Sequence, residues 1–443
     1  MGRGMLRSPI PARPAVLRRA TLWLLFLAPF FYATYGAANW FAATRPYVPN
    51  LAFEWESRIP FIAWTILPYW SINLFYAIAL FVNDAPEQVD RLARRYLTAQ
   101  MIAVSCFFAF PLRATFDRPE TSGLPGMLFD ILGGFDKPFN QAPSLHIALL
   151  VIIWGHFRRR FRHGPRILWH VWCLLIGVSV LTTWQHHVID IPTGAMLGLF
   201  ALWLWPHDRA SPAAGFRLNP DRTAQRLALG YGAAALAFLA ATILTTLLSA
   251  AGLILLWPAI ALAIVAFGYA GAGSEVFQKD ETGSLSPASR FLLLPYRAGV
   301  RLNIWAWTRR LPPAVAVRAG VHLGRFPTAA EASAYRAVLD LTAELPRSTS
   351  LVAWHAFPSL DLLPLEPAVM TEAADLLERL RKHGPVLVCC ALGFQRSASI
   401  IACWLVATGL AADAAEAVRF LELSGRRVAL APATLAASAE AGK

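Results

Sequence analysis

The chain has 443 residues, 56% of them hydrophobic, with 16 tryptophans, 27 phenylalanines and a positive mean hydropathy. That balance excludes an ordinary soluble enzyme and points to an integral membrane protein, long enough for a helical bundle plus one soluble domain. A formal net charge of +13 would suit a nucleic-acid binder. The arginines, however, sit in short loops beside apolar runs, where positive-inside topology and anionic lipid account for them, and no nucleic-acid reader motif accompanies them.

The N-terminus is arginine-rich and free of acids, and the apolar run behind it continues past signal-peptide length. It reads as an uncleaved anchor that starts in the cytoplasm, with a first span from about Leu17 to Ala38. An outer loop from Asn39 to Pro60 leads to spans at about Phe61 to Val82 and Leu97 to Phe110, parted by the basic, cytoplasmic Arg91, Arg94 and Arg95. After a long loop, Pro111 to Gln141, two apolar segments form a hairpin within Asn140 to Leu197. Its turn holds Arg158, Arg159, Arg160, Arg162 and Arg166 on the cytoplasmic side. His146, before the first segment, and His186, after the second, should therefore meet at the outer membrane face. A sixth span from about Pro192 to Trp205 goes back in, and two more, about Leu227 to Leu248 and Leu253 to Tyr269, bring the count to eight.

The expected organisation is a multi-pass α-helical membrane bundle over residues 1–270, a connecting stretch over 271–313, and a soluble α/β domain over 314–443. Within the connecting stretch, FQKDETGSLSPASR reads as a linker, and the mixture of Trp305 and Trp307 with arginines suits a segment lying in the lipid headgroup layer. In the last domain, VLDLT and VLVCC read as strands and AVMTEAADLLERLRKHG as an amphipathic helix stopped by Gly384. Cys106 and Cys173 fall in spans, while Cys389, Cys390 and Cys403 cluster near the end, so the five cysteines form no disulfide framework and suit a reducing compartment.

Two constellations carry chemistry. The first gathers His146, His186, His187, Asp190, Arg113 and Arg118 around one membrane face. Ionisable groups near a bilayer cost roughly 2.5 to 3.5 kcal/mol each even on the lenient insertion scale, so the cluster needs a use. Phosphoryl transfer supplies one: a neutral histidine attacks, a second protonates the leaving oxygen, a carboxylate fixes the imidazole, and arginines neutralise phosphate. With no cysteine and one closely spaced acid, the set favours chemistry without a metal or other cofactor.

These residues resemble the type-2 phosphatidic acid phosphatase superfamily over roughly residues 60 to 205, through Arg118-Pro119, Pro143-Ser144-Leu145-His146, and Ser179 with His186 and Asp190. The resemblance implies His186 as nucleophile, Asp190 as its orienting partner, His146 as general acid, and Arg118 with Ser144 holding phosphate. Pro111 stands where that family has lysine, so Arg113 or Lys137 would substitute. Leu145 replaces a glycine and Val180 an arginine; with the doubled His186-His187, this looks more like the branch of inositol phosphorylceramide and sphingomyelin synthases. Hydrolysis and headgroup transfer both stay open, as does a bland reading in which the histidines cap helices.

The second constellation is Cys390, the loop Ala391, Leu392, Gly393, Phe394 and Gln395, then Arg396-Ser397, set between a strand and an apolar helix. A loop of that length can wrap its N–H groups round a phosphate at a helix N-terminus, with Arg396 as a bidentate clamp and Cys390 as thiolate. Cys389 is not the nucleophile, because Gln395 stands six residues on from it.

This pattern resembles the cysteine-dependent dual-specificity protein phosphatases over about Ala314 to Glu422. The resemblance implies Asp361 as general acid, in preference to Asp340 within a strand, and Ser397 as the hydroxyl that helps release the thiolate. Cys389 replaces that family's histidine and offers a disulfide partner for an oxidised Cys390. The loop carries no extra cation, so a single phosphate is expected, on a lipid such as phosphatidylglycerophosphate or on a membrane-bound phosphoprotein.

Together these features predict a bifunctional phosphatase of a bacterial inner or plasma membrane, with the histidine site outside and the cysteine site in the cytoplasm. The alternatives are a lipid headgroup transferase with a regulatory phosphatase attached, and a scaffold that binds phospho-ligands without turning them over.

Overall fold

A computed structural model describes residues 13–426 and 428–430. The basic start with Arg3 and Arg7, and the alanine-rich tail, lie outside the described residues. The chain divides into two compact units, one running through Ser211 with Leu239–Leu256, the other formed by Pro212–Phe238 and the chain from Trp257 onward.

The first unit holds helices α1 (Arg13–Ala43), α2 (Ile66–Phe81), α3 (Pro86–Ala109), α4 (Gly123–Phe135), α5 (Leu145–Arg158), α6 (His163–Thr182) and α7 (Asp190–Leu204). Its core includes Ile66, Leu92, Tyr96, Phe107, Ile152 and Ile176. Outward, Leu25, Leu168 and Leu174 are more than 60% exposed, which suits a hydrocarbon surround better than water. Helix α8 (Arg222–Thr246) begins in the second unit and ends in the first, and α9 (Leu256–Phe267) follows. Among the described residues, five segments are long and apolar enough to cross a membrane: Arg13–Ala43, Ala63–Phe81, His163–Thr182, Arg222–Thr246 and Ala250–Phe277. The other three expected spans fall on α3, which is charged in its first half, and on the shorter α5 and α7.

Helices α5 and α7 pack backbone to backbone, and the sequence device is Gly194-Ala-Met-Leu-Gly198. A Cβ on Gly194 would come within 2.4 Å of the Ser144 carbonyl oxygen, and one on Gly198 within 2.6 Å of the Ala148 carbonyl oxygen. Only a missing side chain allows that approach. Helix α7 starts at Asp190, which places Pro192 in its first turn, where no intrahelical donor is lost.

The second unit contains α10 (Pro287–Leu292), α11 (Leu294–Thr308), β1 (Ala314–Arg318), β2 (Val321–Arg325), α12 (Ala329–Ala332), β3 (Ala337–Thr342), β4 (Ala353–Ser359), α13 (Pro367–Arg381), β5 (Val386–Cys390), α14 (Arg396–Ala407) and α15 (Ala414–Leu423). The sheet order is β1-β2-β5-β3-β4, with β1 antiparallel to β2 and the remaining pairs parallel. Strands β3 and β5 are buried throughout, as parallel strands covered on both faces must be. One face packs Leu339, Leu341 and Val388 with Leu377, Trp404 and Leu421 of the helices; the other packs Val338, Leu387 and Cys389 with Trp354.

The stretch read from sequence as a linker carries packed structure. Lys279 is buried and its Nζ lies 2.5 Å from Asp340 Oδ2 and 2.6 Å from the Thr342 carbonyl oxygen, while Trp354 Nε1 donates to the same carboxylate at 3.0 Å. That buried ammonium is what permits an aspartate in the middle of β3. Helix α11 has an inverted distribution: Arg297 is 5% exposed, whereas Leu302, Trp305 and Trp307 are 57–64% exposed.

Candidate active sites

Cys390 ends the central strand β5, at the carboxyl edge of parallel strands, where α/β sheets bind ligands. Its Sγ accepts two hydrogen bonds at 3.3 Å, one from the Gly393 N–H and one from the Ser397 hydroxyl. The loop from Ala391 to Gln395 then delivers the chain into α14, so the sulfur sits by the positive end of a 12-residue helix. Gly393 has φ +76°, and a Cβ there would fall 2.5 Å from the backbone of Gly324 on β2; no other residue fits.

Arg396 is wholly buried at the first position of α14. Its Nη1 and Nη2 meet the two oxygens of Glu344 at 3.3 and 3.0 Å, and Nη1 also donates to the Ser359 carbonyl oxygen at 2.7 Å. Asp361 Oδ1 lies 3.1 Å from Nη2, with the Asp361 side chain 35% exposed. The Arg396 Nε is buried without a hydrogen-bond partner among the described residues, leaving one edge of the guanidinium donor-rich and unspent. Burial works against the arginine's charge, but Asp361 and then Glu344 outweigh it and raise its pKa. Burial likewise lifts the Glu344 carboxyl, and the charge and hydrogen bonds of Arg396 more than reverse that, holding it below its ordinary range.

The structure thus brings Cys390, Ser397, Arg396 and Asp361 together, while Asp340 lies apart in its strand with Lys279. Cys389 corrects one expectation. Strand alternation sends it to the opposite face of β5, against Val338 and Trp354, where burial and then the Asp340 charge push its thiol up. It is a packed core thiol and not a partner for Cys390. Sequence reasoning missed Glu344, whose only signal is its place shortly after β3. It also missed Arg426, which donates to the carbonyl oxygens of Leu392 (2.7 Å) and Pro312 (2.6 Å) and lies 5.4 Å from the ring of Phe394, bracing the loop from outside.

Above this site stands a tyrosine group from the two apolar helical segments. Tyr269, just beyond α9, donates its hydroxyl to the Asp361 carbonyl oxygen at 3.0 Å, and its ring stacks on Tyr231 of α8 at 5.5 Å. Tyr231 in turn meets Tyr296 of α11 edge-on. The loop bearing the acid is therefore tied to the end of a membrane-length segment.

The histidine constellation lies in the first unit. His186, in the turn before α7, has its Nδ1 3.2 Å from Asp190 Oδ2 and its Nε2 3.0 Å from Ser144 Oγ. Ser144 also caps α5, accepting from the Ile147 N–H at 3.3 Å, so its own proton is available to His186. That arrangement suits an Nδ1–H donating to Asp190, with the Nε2 lone pair facing the serine hydroxyl. His146 stacks on Tyr69 with centroids 4.1 Å apart, and its Nε2 is buried without a hydrogen-bond partner among the described residues.

Ser144, which the resemblance gives as a phosphate contact, lies against the nucleophile candidate. Arg118 lies over the ring of Phe129 at 4.4 Å, and Arg113 and Lys137 are exposed, so none of the three cations is hydrogen-bonded into the histidine pair. His187 is an anchor: the Thr115 N–H donates to its Nε2 (3.2 Å), which leaves Nδ1–H to donate to Glu56 Oε2 (2.9 Å). Burial raises the Glu56 carboxyl, but hydrogen bonds from His187 and two backbone amides prevail and hold it low. Asp136 went unnoticed in the sequence; burial pushes it up to about 6 against a 2.8 Å bond from Tyr35.

No protein-family model matches the chain, and no curated protein matches it. Solved structures similar to part of it include PTPMT1 in complex with PI(5)P, at 16% identity and a TM-score of 0.27 over 30% of this chain and 95% of that one. Tk-PTP in its active form is 23% identical over 30% of this chain and 97% of that one, and human DUSP28 is 20% identical over 30% and 93%; both have a TM-score of 0.27. At such scores the functional reading has to rest on site geometry.

Proposed function

We propose that this chain is a membrane-bound phosphomonoesterase working through Cys390, on phosphate groups presented at a lipid surface. The observation that carries the reading is the pair of donors on Cys390 Sγ at the start of α14, with the Arg396 fork and the Asp361 carboxylate beside it. In this mechanism the thiolate attacks phosphorus, forming an S–P bond as the P–O bond to the leaving group breaks. Asp361 gives that oxygen its proton, and the loop amides with Arg396 bind the phosphoryl oxygens. Water then attacks the phosphocysteine, Asp361 takes its proton, and inorganic phosphate leaves with the thiolate restored.

Membrane-borne substrate is favoured by the tyrosine link from Tyr269 to the Asp361 loop and by the exposed tryptophans of α11. A lipid phosphate monoester fits this setting better than a phosphoprotein, because the link begins at the end of an apolar helix. The second element of the proposal is phosphoryl transfer at His186, with Asp190 orienting it and His146 as acid; the Ser144-His186-Asp190 chain of hydrogen bonds supports it. If all eight expected segments cross, that site faces the outside and Cys390 the cytoplasm.

The test is a pair of single substitutions, Cys390→Ser and His186→Ala, in the full chain, assayed against a panel of lipid phosphates and followed by phosphate release and by lipid product. Separable losses are expected, with Cys390→Ser removing monoester hydrolysis. Loss of one shared activity in both variants contradicts two sites. A new lipid in place of free phosphate identifies transfer at His186.

A further inference from the structure

The end of the first unit remote from His186 holds a cavity that neither constellation uses. Helix α5 runs from His146 to His156 at that end, about 15 Å away at 1.5 Å per residue. Four elements converge there: the end of α2, the start of α3, the end of α5 and the chain after α7. They enclose about 210 Å³ lined by Arg91, Arg95, Arg159 and Arg160, with the imidazoles of His156 and His207. Asn83, Asp84, Gln88 and Asp208 complete the wall.

The decisive group is Arg95, which is 1% exposed. Its Nε donates to the Trp205 carbonyl oxygen at 2.7 Å and its Nη1 lies 3.0 Å from His207 Nε2, but its Nη2 is buried without a hydrogen-bond partner among the described residues. A buried guanidinium without a carboxylate is costly unless an anion meets it. The two acids in the wall do not serve, since Asp208 pairs with Arg159 at 2.6 Å and Asp84 with Arg160 at 3.2 Å, and both carboxylates are 75% exposed. Arg91 donates to the His207 carbonyl oxygen, which fixes the strand of chain carrying that imidazole. Burial, and then the charges of Arg95 and Arg159, hold the His207 pKa well down, so its ring is neutral and adds no charge.

We infer that this cavity is a binding site for a single phosphate group, held by Arg95 from within and by Arg159 and Arg160 at its mouth. Guanidiniums arriving from different elements suit the several oxygens of a tetrahedral dianion better than a planar carboxylate. The volume lies below the roughly 300 Å³ at which pockets start to enclose drug-sized ligands, so the cavity takes the phosphate and little else. The same chemistry is offered by inorganic phosphate and by the headgroup of a phosphatidic-acid-like lipid.

The test uses the full chain in neutral detergent, with Cys390→Ser and His186→Ala in place to prevent turnover, titrated calorimetrically with inorganic phosphate and, separately, with short-chain phosphatidic acid. At least one is expected to bind, and Arg159→Gln, at a half-exposed position that leaves folding intact, should weaken it tenfold or more; Arg95→Gln should do the same. Binding of phosphate identifies the free ion, and binding of the lipid without phosphate identifies a headgroup. No binding of either ligand, or binding indifferent to Arg159→Gln, overturns the inference.

Discussion

Asp361 and Glu344 both touch Arg396, yet they call for opposite kinds of experiment. Asp361 is partly exposed and placed to pass a proton, so its loss should depend on how badly the leaving group needs one. Asp361→Asn is expected to lower kcat/KM, which reports the P–O cleavage step alone, by roughly 10²- to 10⁴-fold for an alkyl phosphate such as a lipid monoester, and far less for a nitrophenyl ester, whose leaving group departs unaided. Equal losses on both substrates would deny the acid role.

Glu344 is buried and structural, and it acts through the arginine it holds. Replacing it with glutamine strips one of the two countercharges from a buried guanidinium and should cost about 3 kcal/mol of stability, a magnitude typical of a broken buried pair. Because the folded-state pKa of Glu344 is depressed, that contribution is fully present above the ordinary carboxylate value of about 4.3 and is lost as pH falls through the lower folded value. Thermal melts of the wild-type chain should therefore fall off in acid, and the Glu344→Gln chain should show a shallower fall.

At the scale of elements, the membrane-length helices, α13 and the strands β3 and β5 were legible because their signals are local, whereas α4 (Gly123–Phe135) lies inside a stretch read as a loop. The VLDLT and VLVCC runs became β3 and β5, and the amphipathic run before Gly384 became α13. Strands β1, β2 and β4 were not read: β1 and β2 are short neighbours in a hairpin, β2 owes its other edge to the remote β5, and a glycine or a proline interrupts VHLGR and AWHAFPS. The packing of Lys279 on Asp340 was equally invisible, because a polar, glycine-containing stretch carries no period to follow.

Cys390, Arg396, Ser397 and Asp361 were found because a short loop fixes three of them. Glu344 and Arg426 were not, because each reaches the site through tertiary packing. The Gly194 and Gly198 spacing was present in the sequence and its meaning lay in the facing backbone of α5. Gly198→Leu should drive α7 off α5, separating Asp190 from Ser144, and so abolish activity that depends on His186. Phosphate release by Cys390 should survive in the same protein, and its loss in parallel would mean the substitution unfolds the whole chain.

For the molecule as a whole, part of an apolar segment and the Cys390 loop fall in the same compact unit. The second unit joins part of α8 and everything from Trp257 onward to the sheet that carries Cys390, so the acid loop and a membrane-length segment share a compact body. On the proposed function, this arrangement suits phosphate groups presented at a bilayer surface. The reading depends first on whether sulfur forms the covalent intermediate, and rapid quenching followed by peptide mass spectrometry measures that directly. Mixing the full chain bearing Asp361→Asn with a nitrophenyl phosphate, then quenching in acid, is expected to leave a phosphoryl group on the peptide containing Cys390, absent when Arg396→Ala is added. Phosphate release with no label on that peptide at any time, in a chain that also carries His186→Ala, would contradict the account.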